Sequence, residues 1–239
     1  MNRREFTKSV ALTTVGFSFI GCDTPPKFPV QELLGRVQPT LVGEANLRKE
    51  AAEAFTKMKV AAASKGIEIQ VASSYRSYQR QEQIWNGKYE RFTKQGLSPV
   101  EAIDKIIEYS TIPGTSRHHW GTDLDIIQGG KLKQDDSLLA RHFEEGGLYR
   151  ELKVWLDENK ESFGFYEVYT NALGRKGFNY EPWHLSFKPL SHPMLQEYKA
   201  IDLKALLQQM KLKGSEHFSD TFIQRYRSEN VLDINPELL

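Results

Sequence analysis

Two short clusters of polar residues hold the groups of this sequence that are best suited to chemistry. The first is Ser-Arg-His-His-Trp-Gly-Thr-Asp-Leu-Asp over 116–125, and the second is Glu-Pro-Trp-His over 181–184. Catalytic zinc takes three histidine or carboxylate ligands from the protein and keeps a fourth position open for water. Two imidazoles and one carboxylate from these clusters would complete such a set. They are His118 or His119, together with Asp125 and His184.

Glu181 supplies the additional carboxylate that a metal hydrolase needs. Water on a metal ion loses its proton readily, and a nearby base must accept that proton and pass it to the leaving amine. Glu181 lies three residues before His184, and on a regular strand these two side chains would point to opposite faces. Because Pro182 interrupts a regular ladder, we expect Glu181 just before a strand and His184 on it.

Three motifs together resemble the VanY-like D,D-carboxypeptidases, within the wider zinc peptidase group that includes lysostaphin-type enzymes and the hedgehog signalling domain. Ser-x-His-x-x-Gly-x-x-x-Asp begins at Ser116, and Glu-x-x-His begins at Glu181. Upstream, Tyr-Arg-Ser-Tyr-x-x-Gln from Tyr75 is similar to a third family segment. The motifs occur in the family's order, and the resemblance covers roughly residues 44–188.

The resemblance implies a role for each matching residue. One zinc ion would be bound by His118, Asp125 and His184, which favours His118 over its neighbour His119. The catalytic residues would be Glu181, as general base and acid, and Arg76, whose fixed guanidinium suits stabilising the substrate carbonyl or carboxylate. The substrate-binding residues would be Ser116, near the substrate's terminus, and Gln81 and Trp183, which would shape the pocket.

Asp123 departs from the family pattern, which often has a small residue two positions before the aspartate ligand. On a strand, Asp123 and Asp125 would share a face. Asp123 could then orient a metal ligand or alter the charge of the pocket. This departure leaves the substrate open, but not the metal site.

Hydrophobic periodicity predicts the elements that must position these residues. Helical spacing and capping signals predict helices over 44–65, 78–93 and 148–163, and one that opens at Ser98 and ends before Pro113. Alternating and β-branched patterns predict strands over 67–71, 122–127 and 178–187. The expected fold class is α+β, with a small, mainly antiparallel sheet carrying the zinc site, helices packed on one face and a helical C-terminal extension.

The first 22 residues predict an export signal. Basic residues precede an apolar run over 10–20 that is too short to span a bilayer. The segment Arg-Arg-Glu-Phe-Thr-Lys from Arg3 resembles the twin-arginine (Tat) signal, and Phe-Ile-Gly-Cys resembles a bacterial lipobox that ends at Cys22. Cys22, the only cysteine, would be lipidated, so the chain would be a membrane-anchored lipoprotein facing the periplasm or cell wall.

Four segments follow from these signals. They are a signal peptide with lipobox over 1–22, a proline-containing tether over 23–43, a zinc peptidase domain over 44–190 and the helical extension over 191–239. The net charge of +1 indicates no strongly basic face, which argues against a nucleic-acid partner.

The resemblance implies an exported, zinc-dependent peptidase that removes the terminal D-alanine from peptidoglycan stem peptides. An L,D-carboxypeptidase or a peptidoglycan endopeptidase would use the same scaffold. The alternative from another class is a non-catalytic, zinc-containing module that binds the cell wall. The presence of Glu181 and Arg76 argues against that module, which has no hydrolysis to perform.

Overall fold

The computed structural model describes residues 27–131 and 137–239. The predicted signal peptide, the lipidation site Cys22 and residues 23–26 of the predicted tether lie outside these ranges. Within them, no helix combines the length and the apolar character needed to cross a membrane.

Four antiparallel strands form one sheet in the order β1-β2-β4-β3. The strands are β1 (Ile69–Ser73), β2 (Asp123–Gln128), β3 (Phe165–Glu167) and β4 (His184–Phe187). In the register of the two central strands, Asp125 lies opposite His184 and Asp123 lies opposite Ser186. This register places two of the predicted metal ligands side by side on neighbouring strands.

Eight α-helices lie within the described ranges. They are α1 (Val30–Leu33), α2 (Lys49–Ala63), α3 (Tyr78–Lys94), α4 (Pro99–Ile106), α5 (Arg150–Asn159), α6 (Lys188–Lys199), α7 (Leu203–Gln208) and α8 (Asp220–Tyr226). The predicted capping box opens α4, with the Ser98 hydroxyl bonded to the Glu101 amide and the Glu101 carboxylate bonded to the Ser98 amide.

The two faces of the central strands differ, because side chains alternate along a strand. Leu124, Ile126 and Leu185 lie in an apolar cluster with α2 and α5, which we call the sheet core. The intervening residues, Asp123 and Asp125, are polar and buried. The sheet therefore packs helices on one face and carries the site on the other, and the predicted α+β fold is confirmed.

A second apolar cluster, which we call the helical core, includes residues from both ends of the described chain. From the C-terminal segment it takes residues of α6, α7 and α8, such as Met194, Leu207 and Tyr226. Residues 191–239 are helical as predicted, and they complete this core. The tether interpretation is wrong over residues 28–34, because Phe28, Leu33 and Leu34 are buried in the same cluster.

The predicted strand over 178–187 is shorter than expected. β4 begins at His184, because the chain turns through Pro182 and the His184 amide donates to the Glu181 carbonyl at 3.1 Å. This places Glu181 before the strand and His184 on it, as the proline indicated. The three-residue strand β3 was not predicted, since so short a segment carries little periodicity.

Candidate metal centre and active site

A tight turn delivers His118 to the polar face of the sheet. Arg117–Trp120 forms one turn of 3₁₀ helix and ends at Gly121, whose φ of 69° is left-handed. A Cβ on Gly121 would lie 2.7 Å from Leu41 Cδ2, so a side chain there would strain the backbone and displace the end of Leu41. The chain can then enter β2 directly and bring Asp125 beside His118.

The three predicted metal ligands converge. One ligand atom from each of His118, Asp125 and His184 lies within 4.8 Å of the other two, and all three residues are buried. Asp125 Oδ2 lies 3.4 Å from His118 Nε2, and Asp125 Oδ1 lies 3.7 Å from His184 Nδ1. The residues predicted to bind zinc therefore form a cluster that can hold a metal ion.

The chemistry of this cluster fits a divalent cation. Burial alone would lower the pKa of His184, but its hydrogen bonds to Asp123 and Glu181 and the charge of Asp125 raise it to about 10. The surrounding carboxylates thus favour positive charge at this point. Asp125 Oδ1 is also buried without a hydrogen-bond partner in the described part of the chain, so it is available to a cation.

His119 has a different role, although it is next to His118. Its Nε2 accepts a hydrogen bond from the Gly114 amide at 3.1 Å, and its Nδ1 lies 2.5 Å from the Arg76 carbonyl oxygen. Because Nε2 is the acceptor, Nδ1 carries the proton and donates it. Burial lowers the pKa of His119 to about 3, so the ring stays neutral. His119 therefore links the loop that carries Arg76 to the loop before Ser116.

Asp123 orients the ligand His184. Its Oδ2 lies 3.1 Å from His184 Nε2, which leaves Nδ1 facing the other ligands. The same Oδ2 accepts from Arg117 Nε at 2.8 Å, and Oδ1 accepts from Ser186 Oγ at 2.8 Å. Burial opposes ionisation of Asp123, but Arg117 and His184 hold its pKa well below the ordinary value. Of the two roles predicted for Asp123, the geometry supports orientation of a ligand.

Glu181 lies at the edge of the ligand cluster. Its Oε2 is 3.2 Å from His184 Nδ1, and the residue is 7% exposed. Burial raises the pKa of Glu181 above its ordinary value, although His184 and Arg76 oppose this. A carboxyl group with a raised pKa exchanges a proton more readily near neutral pH, which suits a general base and acid.

Hydrogen bonds to two side chains fix the orientation of the Arg76 guanidinium. Its Nη1 donates to Gln81 Oε1 at 2.8 Å and its Nη2 to Ser73 Oγ at 3.0 Å. Gln81 is fully buried, and its Nε2 donates to the Thr111 carbonyl at 2.8 Å. The prediction that Gln81 binds substrate is therefore wrong, because both ends of its amide are engaged inside the protein. It positions Arg76.

One cavity of about 340 Å³ contains the ligand cluster, Glu181 and Arg76. This volume lies within the range of small-molecule sites, about 300–1,000 Å³. Trp183 lines the cavity as predicted, and so does Ser116, whose hydroxyl is buried without a partner among the described residues. Lys88 also lines it, and sequence patterns did not indicate Lys88, which lies on α3 beyond the motif that ends at Gln81.

Comparison with known proteins now adds to the geometry. A family model described as VanY, D-alanyl-D-alanine carboxypeptidase, matches residues 44–190. This chain belongs to the VanY family. The predicted family is confirmed, and all of the motif residues discussed above lie within the matched VanY segment.

Two relatives illustrate how far the VanY similarity extends. A D-alanyl-D-alanine carboxypeptidase of Enterococcus faecalis is 30% identical over 128 residues, which cover 53% of this chain and 42% of that protein. An uncharacterized protein of Haemophilus influenzae is 37% identical over 89 residues, which cover 36% of this chain and 68% of that protein. The chain thus spans less than half of the enterococcal relative.

Two solved structures share the VanY fold. VanYB in complex with D-alanine-D-alanine matches with a TM-score of 0.52 and 22% identity, covering 78% of this chain and 93% of that chain. A variant of the vancomycin-resistance D,D-pentapeptidase VanY, solved with Zn(II), matches with a TM-score of 0.50 and 22% identity, covering 77% and 90%. At this identity, the likeness is one of fold.

Proposed function

We propose that this protein is an exported, zinc-dependent D,D-carboxypeptidase that removes the terminal D-alanine from peptidoglycan stem peptides. One observation carries the proposal. The ligand atoms of His118, Asp125 and His184 converge within 4.8 Å in the cavity that also contains Glu181 and Arg76. Family membership and the zinc-containing structural neighbour support the choice of metal and of bond.

The protein's own residues divide the work of hydrolysis. A zinc ion held by the three ligands would supply Lewis acidity and lower the pKa of a bound water. Glu181 accepts a proton at its carboxylate and returns it to the leaving amine, a cycle suited to its raised pKa. Asp123 keeps His184 in the tautomer that presents Nδ1 to the site.

Arg76 and Ser116 act on the substrate. Two N–H groups of Arg76 are used by Gln81 and Ser73, which fix the plane of the guanidinium and leave its other N–H groups for a substrate oxygen. A group fixed in advance stabilises developing charge without reorganising. The hydroxyl of Ser116, which has no partner among the residues that the structure describes, offers one more hydrogen bond inside the cavity.

Export and anchoring at the membrane complete the proposal, and they rest on the sequence over 1–22. Peptidoglycan lies outside the cytoplasmic membrane, so an enzyme for it must be exported. Labelling with a radioactive fatty acid should mark the full-length protein and fail to mark Cys22→Ser. Equal labelling of both would rule out the lipidation site.

The test of the activity is product analysis by mass spectrometry. The chain should release one D-alanine from a pentapeptide muropeptide with zinc present, and the reaction should stop with a chelator or with Glu181→Gln. Glu53→Gln, which makes the same change at an exposed position, is the matched control and should leave the rate unchanged.

Other products would reassign the function. Cleavage of the tetrapeptide alone would indicate an L,D-carboxypeptidase, and cleavage of cross-linked muropeptides would indicate an endopeptidase. Stoichiometric zinc without hydrolysis of any of these substrates would indicate the non-catalytic module.

A further inference from the structure

Lys88 is a cation of the active-site cavity that forms no ion pair with any acidic residue in the described part of the chain. It lies on α3, one turn after Ile84, and both residues line the cavity. Its Nζ donates to Ser110 Oγ at 2.5 Å. Within the described parts of the chain, no carboxylate oxygen lies within 4.0 Å of this Nζ. For comparison, the cavity residue Arg117 is paired with Asp123 at 2.8 Å.

The surroundings of Lys88 disfavour its charge. Burial, together with the positive charges of Arg91 and Arg76, lowers the pKa of Lys88 below its ordinary value. Glu181 has the opposite effect, but it is the smallest of these contributions. A partly buried cation without a counter-ion is costly unless an anion compensates it. The position is therefore suited to an anion that is brought by the substrate.

The two arginines that line the cavity have more protein partners than Lys88, although Nη1 of Arg117 is buried without a hydrogen-bond partner among the described residues. Arg117 is bonded to Asp123 and Ser186. Arg76 is fixed by Gln81 and Ser73, and Asp125 and Glu181 act on its charge, so it belongs to the reacting centre. Lys88 has fewer fixed partners than either arginine, because its one hydrogen bond to a described protein group is that to Ser110.

We propose that Lys88, together with the hydroxyl of Ser110, binds the free C-terminal carboxylate of the substrate. This inference rests on the proposed function and deepens it. Ser110 Oγ accepts from Lys88, so its own hydrogen is free to donate to a carboxylate oxygen. The two groups together offer an ammonium and a hydroxyl to one carboxylate, a charge-assisted arrangement.

This assignment restricts the substrate class to acyl peptides with a free terminal carboxylate. An endopeptidase substrate would place a neutral amide against Lys88, which leaves the ammonium desolvated and without an anion. Such a mismatch at a buried polar group discriminates strongly between otherwise similar ligands. Lys88 is therefore a specificity residue that favours removal of a terminal residue over cleavage within a cross-bridge.

The test compares binding of N-acetyl-D-alanyl-D-alanine with binding of its C-terminal amide. Calorimetry on the zinc-loaded full chain with Glu181→Gln separates binding from hydrolysis. The free acid should bind roughly 10–100-fold more tightly than the amide, the range expected for a hydrogen bond between charged groups. Lys88→Met should remove most of this preference, and Lys88→Arg should retain most of it. Lys94→Met removes the same charge from an exposed position of α3 and should have no effect.

Each outcome decides one of the two proposals. An equal preference for the free acid in the Lys88→Met and Lys94→Met chains, or binding of neither ligand, overturns the role of Lys88. Hydrolysis by the unsubstituted chain is measured separately. If that chain binds the free acid through Lys88 but releases no D-alanine, the inference stands and the proposed hydrolysis fails. If Lys88→Met releases D-alanine with the same KM as the unsubstituted chain, the proposed hydrolysis stands and the role of Lys88 fails.

Discussion

Gly35→Ala should disturb the active site from a position outside the cavity. Gly35 follows α1 and has a φ of 68°, in the left-handed region that L side chains rarely adopt. An added Cβ would lie 2.4 Å from Nδ1 of His119 and 2.5 Å from its Cγ. The same Nδ1 bonds the Arg76 carbonyl, so a displaced ring pulls on the loop that carries Arg76.

The expected cost has two parts. A left-handed conformation costs a residue with a Cβ about 1–2 kcal/mol. Overpacking of a filled interior adds about 1–3 kcal/mol. Gly66→Ala is the matched control, because Gly66 has a φ of 78° and no heavy atom within 4 Å of the built Cβ. The free energy of unfolding should therefore fall by about 1–3 kcal/mol more in Gly35→Ala than in Gly66→Ala.

Urea unfolding and steady-state kinetics measure the two effects. The difference between the variants in free energy of unfolding follows from their midpoints at equal slope. If the ring shifts, kcat/KM of Gly35→Ala should drop at least about tenfold, since small displacements of catalytic groups cost up to roughly 100-fold. Equal unfolding free energies and equal kcat/KM in the two variants would refute the link from Gly35 through His119 to Arg76.

Three other changes test the orientation of His184, the helical core and the buried ring of His119. Asp123→Asn should weaken zinc binding about 10–100-fold in a competition with a chelating dye, because the amide cannot replace the carboxylate that orients His184; unchanged affinity would contradict this role. A chain that ends at residue 190 should lose the near-ultraviolet circular dichroism signal of ordered aromatic side chains, because it loses much of the helical core. A native spectrum would contradict a core shared between residues before and after position 190. In the folded chain the pKa of His119 is about 3, whereas in the unfolded chain it has the ordinary value of 6.5. Between these two values only the unfolded chain binds the proton, so the free energy of unfolding should fall as the pH drops from 6.5 towards 3. In metal-free protein, His119→Gln should reduce this slope by up to about 1.4 kcal/mol per pH unit, and an unchanged slope would contradict the buried neutral ring.

The sequence alone determined the features that depend on neighbouring residues. Residue type and family resemblance named His118, Asp125 and His184, and the structure brings these three together. Pro182 correctly located the turn between Glu181 and β4. Such features are local, because a proline or an alternating pattern restricts the backbone within a few residues.

Only the tertiary structure decided which distant groups meet. The register between β2 and β4 brings Asp123 to His184, and the packing of α3 brings Gln81 to the Thr111 carbonyl and Lys88 into the cavity. The apolar residues after position 190 have helical spacing, but their partners in the helical core are far away in sequence. Spacing along the chain fixes the direction in which a side chain points, whereas the group that it meets depends on how strands and helices pack together.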